Sequence, residues 1–213
     1  MQKLEEIINR IQEQLKGDLP GLSAHRKALP PDRDPGTRYE FDKLSNPRKS
    51  GVLIMLFEDE KGEVRFPLME RPSYGGVHSG QVSLPGGRLE KQDNSLIDTA
   101  LRETAEEIGV TGVEVVGELS QLYIPPSNFL VTPVVGYYQG MPVFRKEPRE
   151  VEEIFTVGLD ELLDESRLKH TDLEVRGQVF RNIPYFDFAD RIVWGATAMI
   201  LCEFAELLQH DQC

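Results

Sequence analysis

Four residues between Gly87 and Val110 have types and spacing suited to chemistry on phosphates: Arg102, Glu103, Glu106 and Glu107. Ser95, with Asp98 three residues on, resembles a capping box, and Gly109 is placed to end a helix in a left-handed cap, so the pattern predicts a helix over 96–108. At about 100° per residue, Ile97, Leu101, Thr104, Ala105 and Ile108 share one side, while the three glutamates gather on the other. Like charges at i, i+3 and i+4 each cost roughly a few tenths of a kcal/mol in an isolated helix, a cost that a divalent cation removes. A hard cation such as Mg2+ prefers oxygen ligands and keeps waters and substrate phosphates in its shell, so a carboxylate patch open to solvent suits phosphoanhydride chemistry. Arg102, four residues before Glu106, can neutralise or orient a carboxylate. A bare R-E-x-x-E-E string is often no more than a solvated acidic face. The Gly86-Gly87 loop ahead of the helix argues against that here, because glycine lets backbone approach a phosphate closely.

Other elements must hold this helix in place. A dense apolar run at 51–57, turn chemistry at 59–62 and a second apolar run at 64–69 predict a buried hairpin. A short strand is expected at 81–84, strands at 113–122 and 130–138, a helical turn at 160–163, a hairpin over 173–186 through Arg176-Gly177, and a closing helix at 196–208. Strands and helices mix without regular alternation, which predicts an α+β fold with a mixed β-sheet sandwiched between α-helices. Upstream, Leu4, Ile7, Ile8, Ile11 and Leu15 recur at helical spacing, an amphipathic stripe that could pack on the core or on a second copy in a homodimer. Residues 20–48, rich in Pro, Asp, Arg and Lys, read as an extended connector without chemistry. The expected division is a helix and connector over 1–48 and a catalytic domain over 49–213.

Composition bounds the partners. With 36 acidic against 24 basic residues the formal charge is -12, which repels polyphosphate backbones and gives no electrostatic reason to bind nucleic acid. An anionic substrate therefore needs a local cation, a metal or clustered Arg and Lys. The two cysteines, Cys202 and Cys213, make neither a disulfide framework nor a zinc site. No apolar stretch reaches membrane-spanning length, and the charged amphipathic start is unlike a secretory signal, so a cytoplasmic location is expected.

The segment GGRLEKQDNSLIDTALRETAEEIGV resembles the Nudix box, G-x5-E-x7-R-E-U-x-E-E-x-G-U with U aliphatic. Arg102, Glu103, Glu106, Glu107, Gly109 and Val110 match in register. One extra residue separates Gly87 from Arg102, leaving Glu90 and Asp93 as alternatives for the first glutamate of the pattern, and Thr104 replaces an aliphatic residue. A similarly lengthened loop after Pro-Gly-Gly marks the coenzyme A diphosphatase-like branch of the superfamily. Further similarity to that branch lies in LMERPSYGGVHSGQVSLPGG, PPSNFLVTPVVGYY and IVWGATAMIL, although Gly76 stands where the branch has an arginine five residues after the position of Arg71.

The resemblance implies an enzyme that uses Mg2+ or Mn2+ to cut a small nucleotide substrate at a phosphoanhydride bond. Glu103, Glu106, Glu107 and Gly87 would be metal ligands, and Arg102 would brace the carboxylates. A further glutamate outside the box would come from RKEPREVEEIF, with Glu150 fitting better than Glu153. Arg71, Gly86, Gly87, Ser127 and Phe129 are the candidate substrate contacts: Arg71 by bidentate pairing with a phosphate, Ser127 and Phe129 from a loop facing the organic part. His78 reads as a loop histidine. Trp194 could stack on adenine, but a lone tryptophan ahead of an apolar helix is more often core, so it stays outside the site. Coenzyme A or an acyl-CoA is the leading substrate, another nucleotide such as a dinucleoside polyphosphate or nucleotide sugar the second. A non-catalytic binding module ranks well behind, because no box glutamate is lost.

Overall fold

In the computed structural model, which describes residues 2–30, 40–41, 44–72, 80–175 and 177–209, the apolar run at 51–57 forms the middle of strand β1 (Arg48–Glu58). Its residues are apolar on both sides because both faces are buried. Leu53, Met55 and Phe57 point into one cluster and Ile54 and Leu56 into the other, the two-residue period of a strand. Strand β2 (Val64–Glu70) returns antiparallel and continues to β3 (Val82–Ser83), while β7 (Phe129–Tyr137) lies parallel to β1 on its other side. With β4 (Gly86–Arg88), β5 (Glu114–Glu118), β6 (Leu122–Ile124) and β8 (Glu153–Gly158) they make one eight-stranded mixed sheet. Strands β9 (Leu168–Val175), β10 (Gln178–Phe188) and β11 (Arg191–Trp194) form a second, antiparallel sheet.

Helix α1 (Gln2–Gln14) buries Leu4, Ile8 and Ile11 in the larger core cluster, so its apolar stripe is spent on the chain's own core. The short α2 (Gly21–His25) packs there too, against the last helix, α5 (Gly195–Gln209). Helix α3 (Leu96–Ile108) covers the opposite face of the sheet through Ala100 and Ile108, and α4 (Leu159–Leu163) follows β8. The expected α+β sandwich is therefore present.

Several local expectations need correction. The connector is not uniformly extended: α2 and the 3-10 turn at Arg26–Ala28 sit against α5, where the buried His25 Nε2 lies 2.9 Å from Glu203 Oε2. Gly21 and Ser120 donate backbone N–H groups to the other oxygen, Oε1, so the buried carboxylate is satisfied. A five-residue helix is too short to print a period in the sequence. The strand expected over 113–122 is two, because the register slips between Val115 and Gly117 and the chain then turns into β6. Gly86-Gly87 is not a loop: it pairs with Val52 and Gly51 as β4. His78, Gly76, Arg176 and most of the connector from 31 to 43 lie outside the described residues.

Candidate active site

Helix α3 is fixed at both ends as its sequence suggests. Ser95 Oγ accepts from the Asp98 N–H at 3.0 Å, and Gly109 closes the helix at φ 74° with its N–H on Ala105 O. The capping box is only half formed, since the Asp98 carboxylate accepts from Asn94 N instead of Ser95 N. On the polar side the glutamates separate by environment. Glu106 is exposed, Glu103 is largely covered, and the Glu107 side chain is only 1% exposed, so the patch is not open to solvent throughout.

Glu107 is held by β4 and by Arg71, the residue after β2. Its Oε2 accepts from Gly86 N at 2.8 Å, and its Oε1 accepts from Arg71 Nη2 at 3.0 Å. Burial pushes its pKa up to about 7, against the pull of Arg71 and the Gly86 N–H, with help from the nearby charges of Glu103 and Glu150. Burial also raises Glu103, which Arg102 opposes. Gly87 packs so tightly that a Cβ there would lie 2.2 Å from the Glu103 carboxylate. Only glycine lets the strand approach the carboxylate this closely.

Arg102 organises the rest. It donates from Nε to Asp93 Oδ1 and from Nη2 to Oδ2, both at 2.9 Å, and from Nη1 to Glu103 at 2.9 Å and Glu106 at 3.1 Å. Nη2 also donates to the Arg88 carbonyl at 3.1 Å. The paired guanidinium holds Asp93 well below the usual carboxylate range. Asp93, not Glu90, thus meets the arginine across the lengthened loop. Glu90 instead accepts from the Gln92 side chain.

The glutamate outside the box is also resolved. Val151 is fully buried, and a turn with Val151 N and Glu150 N on Glu147 O presents Glu150 beside the helix. Carboxylate oxygens of Glu103, Glu107 and Glu150 lie within 4.8 Å of one another. Glu153 points elsewhere, into an ion pair with Arg191. Three hard oxygen donors this close, one of them buried and repelled by the other two, fit a divalent cation of the Mg2+ or Mn2+ type. Glu106 stands outside that trio, paired with Arg102.

Beyond β4 opens a cleft of about 760 Å3. All five expected substrate contacts line it: Arg71, Gly86, Gly87, Ser127 and Phe129. Phe129 opens β7 and carries the Arg48 guanidinium 4.2 Å from its ring centre. Trp194, expected in the core, is half-buried and lines the cleft with Phe180, because β11 ends at the cleft wall before α5 begins. The sequence signal for it was its place immediately before Gly195, whose φ of 67° turns the chain from strand into helix.

The NUDIX domain family model matches residues 47–188. The chain belongs to the Nudix family. Its Nudix relatives include the hydrolase NudL of Photorhabdus laumondii, 37% identical over 166 residues that cover 77% of this chain and 87% of that one. The mitochondrial Nudix hydrolase 15 of Arabidopsis thaliana is 36% identical over 169 residues, 76% of this chain, and the chain spans 59% of that protein's length. Among solved structures, a MutT protein from Methanosarcina mazei aligns with 77% of this chain and 96% of its own at a TM-score of 0.48 and 21% identity. As a Nudix hydrolase the protein is a pyrophosphatase acting on phosphoanhydride bonds of nucleoside diphosphate-linked substrates. Nudix hydrolases generally need divalent cations, which agrees with the carboxylate cluster.

Proposed function

We propose that the protein hydrolyses coenzyme A or an acyl-CoA at its diphosphate, releasing 3',5'-ADP and 4'-phosphopantetheine or its acyl form. The observation that carries this reading is the cleft. One wall is the glycine edge of β4 beside the carboxylates, while Phe129, Phe180, Trp194 and the aliphatic residues around them form an apolar remainder. A volume of about 760 Å3 suits a large organic substrate more than a bare diphosphate.

Glu103, Glu107 and Glu150 would hold the cation, with Glu106 and the Gly87 carbonyl as further donors. The bound cation would neutralise phosphate oxygens and acidify water. Arg71 keeps Glu107 in place, and Arg102, itself held by Asp93, keeps Glu103 and Glu106. Glu150 has no hydrogen-bonding or cationic side-chain partner among the described residues, so one of its oxygens would hold the cation while the other accepts the proton of the attacking water. The water oxygen bonds to one phosphorus, the bridging P–O bond breaks, and the leaving phosphate departs with the other half of the substrate. The apolar wall holds the organic part and keeps bulk water out.

A dinucleoside polyphosphate is the second reading, favoured by the aromatic side chains in the cleft, on which a base could stack. Initial rates on coenzyme A, acetyl-CoA, NADH, ADP-ribose and diadenosine polyphosphates with Mg2+ or Mn2+ decide between them. Highest kcat/KM on the two CoA compounds is expected; a higher value on any other member overturns the substrate while keeping the reaction class.

A further inference from the structure

The cleft has two cationic side chains among its described lining residues, Arg71 and Arg88. Arg71 is committed to Glu107. Arg102, close by, is surrounded by Asp93, Glu103 and Glu106. Arg88 differs: its side chain is exposed and has no ion pair or hydrogen bond among the described residues. In a chain of formal charge -12, with four glutamates grouped beside the cleft, an anionic substrate meets a repelling field on approach. Among the described lining residues, the Arg88 guanidinium is the cation not already paired with a carboxylate, and it offsets that field.

The backbone aims this side chain. Side chains alternate along a strand, so on β4 Gly86 and Arg88 share one face and Gly87 takes the other. The Gly87 face meets Glu103, which puts Arg88 on the face away from α3, toward the cleft it lines. Its backbone is pinned twice, by pairing with Ser50 on β1 and by its carbonyl accepting from Arg102 Nη2 at 3.1 Å. The same guanidinium that sets Glu103 and Glu106 therefore sets the start of the Arg88 side chain. A planar fork of donors, carried on a backbone held beside the carboxylates, is suited to a phosphate oxygen pair.

We infer that Arg88 binds a phosphate of the substrate from the cleft side and sets the preference for anionic groups there. This rests on the reading that a phosphoanhydride substrate occupies the cleft. The phosphate is either one that belonged to the scissile diphosphate or a further phosphomonoester, and two probes distinguish them. Binding of 5'-AMP and of 3',5'-ADP, which differ by one phosphomonoester, is measured by calorimetry with Mg2+ on wild type, Arg88→Ala and Arg88→Lys. KM and kcat are measured in parallel on coenzyme A.

Arg88→Ala is expected to weaken binding about tenfold, the size of a partly solvated charged hydrogen bond. Arg88→Lys should recover part of it, and the melting temperature should stay within about 1 °C. Equal weakening for both nucleotides assigns the contact to the phosphate they share; weakening of 3',5'-ADP alone assigns it to the additional one. Unchanged binding of both in Arg88→Ala overturns the inference, as does wild-type protein that binds neither. Arg88-dependent nucleotide binding without coenzyme A turnover would leave Arg88 standing and remove the substrate proposal instead.

Discussion

Replacing Gly87 with alanine separates the site from the fold. The added Cβ would lie 2.2 Å from the Cδ and Oε1 of Glu103, whereas ordinary contact begins at 3.4 Å, so the carboxylate must retreat by about 1.2 Å. The group it strikes is the end of a side chain and not backbone, so the fold can absorb the change by rotating Glu103. The site cannot absorb it as easily, because a displacement of about 1 Å at a reacting centre costs on the order of 100-fold in rate. Gly87→Ala should therefore lose about two orders of magnitude in kcat while its melting temperature moves by roughly 2 °C or less. Gly86→Ala is the contrast. There the Cβ meets backbone, Gly51 O at 2.4 Å and Val52 Cα at 2.6 Å, and φ is 152°, so stability falls with activity. Steady-state kinetics and thermal melts of both variants check this. A Gly87→Ala protein with wild-type kcat would refute the claim that the position of Glu103 governs the reaction.

Asp93→Asn removes the charge from both bonds to Arg102, each worth about 1.5–3 kcal/mol when charged. Lower melting temperature and lower kcat should follow, whereas Glu90→Gln, altering an exposed carboxylate, should leave the melting temperature unchanged; the reverse order would place the brace at Glu90. Metal-free protein should lose stability between about pH 4.5 and pH 7. The folded pKa of Glu107, about 7, lies above its ordinary 4.5, so its contribution is full below the lower value and lost as pH rises through the higher. That loss is on the order of 3 kcal/mol. Thermal melts should show it shrinking in Glu107→Gln and on adding Mg2+ at pH 8, and a pH-independent wild type would contradict it. Trp194→Ala should raise KM for coenzyme A about three- to tenfold with Trp194→Phe intermediate, and an unchanged KM would return Trp194 to a packing role.

What the sequence discloses depends on how local the physics is. Helix α3 is legible because its cap, its period and Gly109 lie within fifteen residues, and β1 because burial on both faces leaves a continuous apolar run. Strand β4 is hidden because Gly-Gly has no side-chain pattern and becomes a strand only by pairing with β1. Strand β8 is missed because its sequence begins among acidic residues and its register is set by distant β2. The same distance separates Glu150 from Glu153. Both are glutamates in a charged segment, and what removes Glu153 from the site is Arg191, 38 residues away. The burial of Glu107 is likewise invisible in an R-E-x-x-E-E string, since it comes from Gly86 and Arg71.

The proposed cation site is the trio Glu103, Glu107 and Glu150, holding the divalent ion that supports diphosphate cleavage. Its most direct test is Mn2+ binding, followed by the resonance of free Mn2+, on wild type and on Glu103→Gln, Glu107→Gln and Glu150→Gln, with product chromatography from coenzyme A on the same samples. Each substitution is expected to weaken Mn2+ binding and to suppress release of 3',5'-ADP. Undiminished Mn2+ binding in all three variants would contradict that site.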